Sequence, residues 1–143
     1  MNTTERNTRS AGIARPEMTQ LQAIDQIDCA LERLTALLAL LCHDCSDGKP
    51  FTGGDDNAEI ALALASSLLS RAWEARQVLM LDTEESLHFT DQLEQLTVLV
   101  TLLHANVNEA STGHVFVALG HALDLAEATA GAAEAAWRAR HHD

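Results

Sequence analysis

Cys42 and Cys45, with His43 and Asp44 between them, form the one segment of this chain whose residue types and spacing suggest chemistry. A Cys-x-x-Cys pair can exchange a disulfide, or it can share a zinc ion with histidines elsewhere in the chain. His104 and His114 are the candidate partners, so a metal- or thiol-responsive site would comprise Cys42, Cys45, His104 and His114. The redox form is disfavoured. Reactive thiols are commonly stabilised at a helix N-terminus, whereas this pair falls at the end of an apolar-periodic segment, where the helix dipole opposes a thiolate. The metal form meets a packing objection: an offset of 62 residues aligns Cys45 with Val107, and a small buried thiol can fill a valine position unaided. No metal or cofactor is therefore expected.

Glu85 and His88 have the Glu-x-x-His spacing of di-iron bundles, but no second such motif accompanies them. A histidine on a helical bundle can accept phosphate, and His104 and His121 are the candidates for phosphotransfer. Neither is followed by the lysine and glycine that such domains usually carry. Phosphate-binding glycine loops, nucleophile elbows and zinc-protease histidine pairs are missing from the sequence, so a non-catalytic role is expected. Two Trp-Arg pairs remain: Trp73 with Arg76, and Trp137 with Arg138 and Arg140. An arginine three residues from a tryptophan shares its helix face and can lie over the indole. Tryptophan and arginine are enriched at binding hot spots, which makes these five residues candidates for a partner-binding surface. The simpler reading makes both tryptophans core plugs.

The elements that must position these residues are helices. Hydrophobic residues make up 47% of the 143, mostly leucine and alanine, and there is no tyrosine. That composition favours helix over strand. Ile24, Ile27, Leu31, Leu34, Leu38, Leu41 and Cys45 recur at alternating spacings of three and four, with Leu21, Leu37 and Leu40 widening the stripe. Residues 45–57 hold three glycines and a proline and read as a loop. A second helix is predicted from a cap at Asp55, Asp56 or Asn57 to about Leu81, with Ile60, Leu64, Leu68 and Ala72 inward and Leu62, Leu69 and Trp73 alongside. Asp82 with Glu85 offers a partial capping box for a third helix, burying Phe89, Leu93, Leu96, Val100, Leu103 and Val107. A fourth follows Ser111 or Thr112, with Phe116, Leu119, Leu123, Ala126, Ala130, Ala133 and Trp137 inward.

The first and third helices resemble each other. Leu31–Leu41 (LERLTALLALL) recurs as Leu93–Leu103 (LEQLTVLVTLL) with seven of eleven residues identical, and Trp73-Glu74-Ala75-Arg76 is echoed by Trp137-Arg138-Ala139-Arg140. The expectation is an all-α, antiparallel four-helix bundle built from a duplicated helical hairpin. Residues 1–15 read as a disordered tail, and 16–143 as one bundle domain with hairpins 16–81 and 82–143. Short connections place the loops after the first and third helices at one pole, and the chain ends at the other. There Arg138 and Arg140 are expected near Glu84 and Glu85.

The formal charge is −12, and residues 1–15 carry +2 of it through Arg6, Arg9, Arg15 and Glu5, leaving −14 for the rest. Such a body repels phosphate backbones, which disfavours nucleic acid and suits a basic protein partner, solubility or self-association. The longest apolar run, Leu34–Cys42, is too short to span a bilayer, and the N-terminus lacks a signal-type apolar stretch. Three cysteines suit a reducing cytoplasm. The reading is thus an acidic interaction module, with a regulator or inhibitor of a basic protein as its functional setting.

Overall fold

The computed structural model describes residues 18–79 and 83–141. Four helices carry the fold: α1 Gln20–Asp44, α2 Asp55–Val78, α3 Glu84–Asn106 and α4 Thr112–His141. They form a ring in which α1 packs on α2 and α4, and α3 packs on α4 and α2, the α2–α3 contact being the thinnest. Among the described residues there is no strand. The expected tail, Pro16 and the Asp82 cap lie outside the described residues.

Local signals explain the helix ends. Thr19 and Gln22 form a reciprocal capping box at the start of α1, each side chain bonding the other's backbone N–H. Thr83 caps α3 by accepting from the Ser86 N–H at 3.1 Å. Ser111 does the same for His114 at the start of α4. The cap expected at Asp55, Asp56 or Asn57 is corrected: Gly54 occupies the cap position of α2 without a side-chain bond, and Asp55 and Asp56 lie in the first turn, where they favour the positive end of the helix dipole. Between α1 and α2 the chain makes a 3-10 turn at Ser46–Gly48 and reverses through left-handed residues, Asp47 at φ 58° and Gly48 at φ 79°.

The two poles fall as expected. A Cβ placed on Gly48 would lie 3.7 Å from the Gly113 backbone, so the loop after α1 touches the start of α4. Asn108 donates to Glu59 at 3.1 Å, tying the loop after α3 to the start of α2. At the opposite pole the rings of Phe89 and Trp137 meet edge to face at 5.6 Å.

All the inward positions expected of α1 and α3 are buried, including Leu34, Leu38, Phe89, Leu93 and Leu96 at no exposure. Leu21 and Leu40, expected to widen the α1 stripe, are instead exposed, while Leu37 is half-buried. The seams of α2 and α4 also need correction. In α2 the buried set is Ala58, Leu62, Ala65, Leu68, Leu69, Ala72 and Ala75, whereas Ile60 and Leu64 are 68% and 54% exposed. Alternating alanine and leucine over residues 60–65 offers two overlapping helical stripes. The rotation that turns alanine inward lets α1 approach closely, and hydrogen bonds from Trp73 and Arg76 to α3 fix it. In α4, Val115, Ala122, Thr129 and Ala136 join Leu119, Ala126, Ala133 and Trp137 inside, leaving Phe116 and Leu123 half-buried and Ala130 exposed. The buried Thr129 hydroxyl is satisfied by the Leu125 carbonyl at 2.6 Å.

Thr112–Ala139 is long and apolar enough to cross a membrane by length and composition, with a window of mean hydropathy 1.2, 33% of it buried. Alanines, leucines and valines raise the average, while His121, Asp124 and Glu127 interrupt any continuous apolar run.

Candidate functional site

The Cys-His-Asp-Cys segment closes α1, with Cys45 at the cap position. Cys45 is fully buried in the core, and its thiol faces the Cys42 carbonyl at 3.9 Å. Burial first, and then the neighbouring Cys42, push the Cys45 thiol up from its ordinary value, which suppresses thiolate chemistry there. Asp44 clamps the following loop: its carboxylate accepts from the Thr52 hydroxyl at 2.6 Å and the Thr52 N–H at 2.8 Å, and these bonds hold its pKa down. The sequence reading gave Asp44 no role. Cys42 and His104 are half-buried, and His114 is exposed. Among the described residues, no three His, Cys, Asp or Glu side chains gather as a metal site would require. His121, exposed, borders a shallow groove with Val98, Leu102 and Leu125. His88 is exposed and Glu85 half-buried in the first turns of α3.

The Trp-Arg pairs part company. Trp73 is half-buried and donates its indole N–H to the Thr97 hydroxyl of α3 at 2.9 Å. Arg76 reaches away from that ring, to the Thr90 hydroxyl at 3.0 Å and the Leu79 carbonyl at 3.2 Å. Trp137 is buried and donates to the Asp28 carboxylate of α1 at 3.1 Å. Arg138 pairs with Glu134 on its own helix instead of the expected Glu84 and Glu85, and both side chains are well exposed. Nothing is described of the Arg140 side chain.

This difference between the indoles has a spatial consequence. Thr97 in α3 and Thr35 in α1 are 62 residues apart, and each hydroxyl donates to the leucine carbonyl four residues before it. Trp73 covers Thr97. Trp137 bonds Asp28, two turns from Thr35, and Thr35 is left lining an open groove between α1 and α4. That groove has a volume of about 740 Å³. Its floor is Leu31, Ala36, Ala39, Leu123 and Ala130, and Trp137 closes one end. Asp28, Glu32, Glu127 and Glu134 stand along its rim, all exposed, with no lysine or arginine in the lining. Withdrawal from water beside the indole raises the Asp28 carboxyl above its ordinary value. The Trp137 hydrogen bond works against this shift, and Asp25 and Glu134 add to it.

The groove is the arrangement that sequence reasoning missed, although its signal was present. Asp28 and Glu32 are spaced i,i+4 and are followed on α1 by Ala36 and Ala39, while Glu127 and Glu134, spaced i,i+7, flank Ala130 on α4, so small side chains line the seam. An apolar floor with an anionic rim can desolvate an apolar side chain while holding cations in water beside it. Among the described side chains of the two Trp-Arg sets, Trp137 is the one that lines this groove. Compared with known proteins, the chain matches no family model, no curated protein and no solved structure.

Proposed function

We infer that this chain is a non-catalytic binding module, an acidic helical bundle that engages a basic segment of another protein. The observation that carries this reading is the apolar α1/α4 groove rimmed by Asp28, Glu32, Glu127 and Glu134, with no basic residue in its lining and one cation, Arg138, paired to the rim at Glu134. A net charge of −12 steers cationic partners toward the bundle and disfavours nucleic acid. A regulator or inhibitor that covers a basic surface of its target is the role such a module fits. The setting in this reading is cytoplasmic and membrane-free.

Titration of the full chain with a Lys/Leu amphipathic peptide and with its Glu/Leu counterpart tests the reading. The lysine peptide is expected to bind, more weakly as salt rises, and the glutamate peptide to stay free. Glu127→Lys with Glu134→Lys should reverse that preference. Equal binding of both peptides, or of neither, would overturn it.

A further inference from the structure

The groove has a register as well as a charge. The Trp137–Asp28 hydrogen bond sets the level of α1 against α4, and counting back along the antiparallel pair brings Glu32 near Glu134 and Ala36 near Ala130. Three carboxylates, Asp28, Glu32 and Glu134, therefore gather at the Trp137 end, Glu134 already pairing with Arg138 and Glu32 left with no ion-pair partner among the described residues, and Glu127 stands alone toward the other. Glu127 and Glu134 are separated by about 10.5 Å of helix rise, two turns. Between them the small side chains of Ala36, Ala39 and Ala130 leave the floor low.

Resting on the reading above, we propose that the groove receives an amphipathic helix of a partner protein with one large apolar or aromatic anchor and two cations seven residues apart. The anchor seats over Ala36 and Ala130, where its desolvation is the main attraction. One cation meets the carboxylates at the Trp137 end and the other meets Glu127. Charge complementarity selects this occupant. A second copy of the chain would bring another net charge of −12 to a rim that is already anionic. Asp28 and Trp137 set the closed end, so a cation placed there lies within reach of the carboxylate that already accepts the indole N–H.

Two capped peptides of identical composition decide it, titrated into the isotopically labelled full chain and followed by the Trp137 indole N–H and the Ala36, Ala39 and Ala130 amides. The matched peptide carries arginine at i and i+7 and phenylalanine at i+4; the other has the same residues with the arginines on opposite faces. The matched peptide should perturb those four signals and bind at least about tenfold tighter, an advantage that Glu127→Gln removes. Ala130→Phe, an exposed substitution that fills the floor, should block it. Equal binding of the two peptides would overturn the seven-residue register while leaving the basic-partner reading intact. Failure of both would overturn both. Perturbation centred on Val98 and Leu102 would place the site elsewhere and overturn the assignment. So would light scattering of the free chain at twice its mass that halves in Ala130→Phe, which would make a second copy the occupant. Groove signals that move in Arg9→Glu/Arg15→Glu without peptide would make this chain's own N-terminal segment the occupant, with the same result.

Discussion

The indole N–H of Trp137 donates to the carboxylate of Asp28 at 3.1 Å, joining residues 109 apart in the chain and closing one end of the α1/α4 groove. Although Asp28 as a residue is exposed, its carboxylate is the part drawn toward the indole, and its pKa is raised.

A raised folded-state pKa gives a definite sign. The native state holds the Asp28 proton more tightly than the unfolded chain, so this contribution to stability falls as pH rises from 3.8 through the folded value. Asp28→Asn keeps an acceptor for the indole and removes the charge. The variant should be more stable at pH 7 by about 0.5 kcal/mol, or roughly 2 °C in Tm, and the gain should vanish below the ordinary aspartate range. The same substitution should weaken binding of basic peptides, because it takes one carboxylate from the rim. Thermal melts across pH, paired with a titration, check both halves.

Asp44 runs the other way. Its pKa is lowered from 3.8 by the two bonds from Thr52, so the stability it lends is present above that value and lost as pH falls through the lower folded one. Asp44→Ala should lower Tm at pH 7, and wild type and variant should converge in strong acid. Equal Tm values at pH 7 would show that the clamp on the α1–α2 loop contributes nothing.

Trp137 combines core packing with a hydrogen bond to a charged group. Trp137→Ala should cost about 3–5 kcal/mol, whereas Trp137→Phe, which keeps an aromatic ring against Phe89, should cost about 1–2 kcal/mol. Denaturant midpoints at constant m-value measure the difference.

The rotation of α2 makes a sharp contrast. Leu62→Ala, at a fully buried position, should cost about 2–5 kcal/mol, and Ile60→Ala or Leu64→Ala should stay within about 0.5–1 kcal/mol. The reverse order would restore the stripe drawn from the sequence and put Ile60 in the core.

Gly120 and Gly131 lie inside α4 without serving close packing, since a Cβ on either would meet nothing within 4 Å. Gly120→Ala and Gly131→Ala should therefore each stabilise the protein by about 0.5–1 kcal/mol through helix propensity alone. Destabilisation by either would mean that α4 is approached more closely than this packing allows.

Thiol reactivity should follow burial, with Cys29 alkylated first, Cys42 more slowly and Cys45 last, as read by mass spectrometry of the native protein. Fast labelling of Cys45 would contradict its place in the core.

That four helices form, and where α1 and α3 bury their seams, is legible in the amino-acid sequence. Leucine, isoleucine and valine at alternating three- and four-residue spacings give those helices their buried seams, and short connections join antiparallel neighbours. The sequence leaves the rotation of α2 and α4 open, because alanine is apolar enough to sit on either side of a stripe. In α2, hydrogen bonds from Trp73 and Arg76 to Thr97 and Thr90 of α3 hold one face of the helix over the other, and in α4 the bond from Trp137 to Asp28 does the same. The groove belongs to the same class of fact. Asp28, Glu32, Glu127 and Glu134 are ordinary surface carboxylates in the linear chain, and only the packing of α1 against α4, with Trp137 turned to Asp28, sets them around a shared apolar floor. Periodicity marks the buried face where leucine and isoleucine stand on one side only; where alanine shares the stripe, the choice of face is a competition among side-chain shapes that no one-dimensional pattern records.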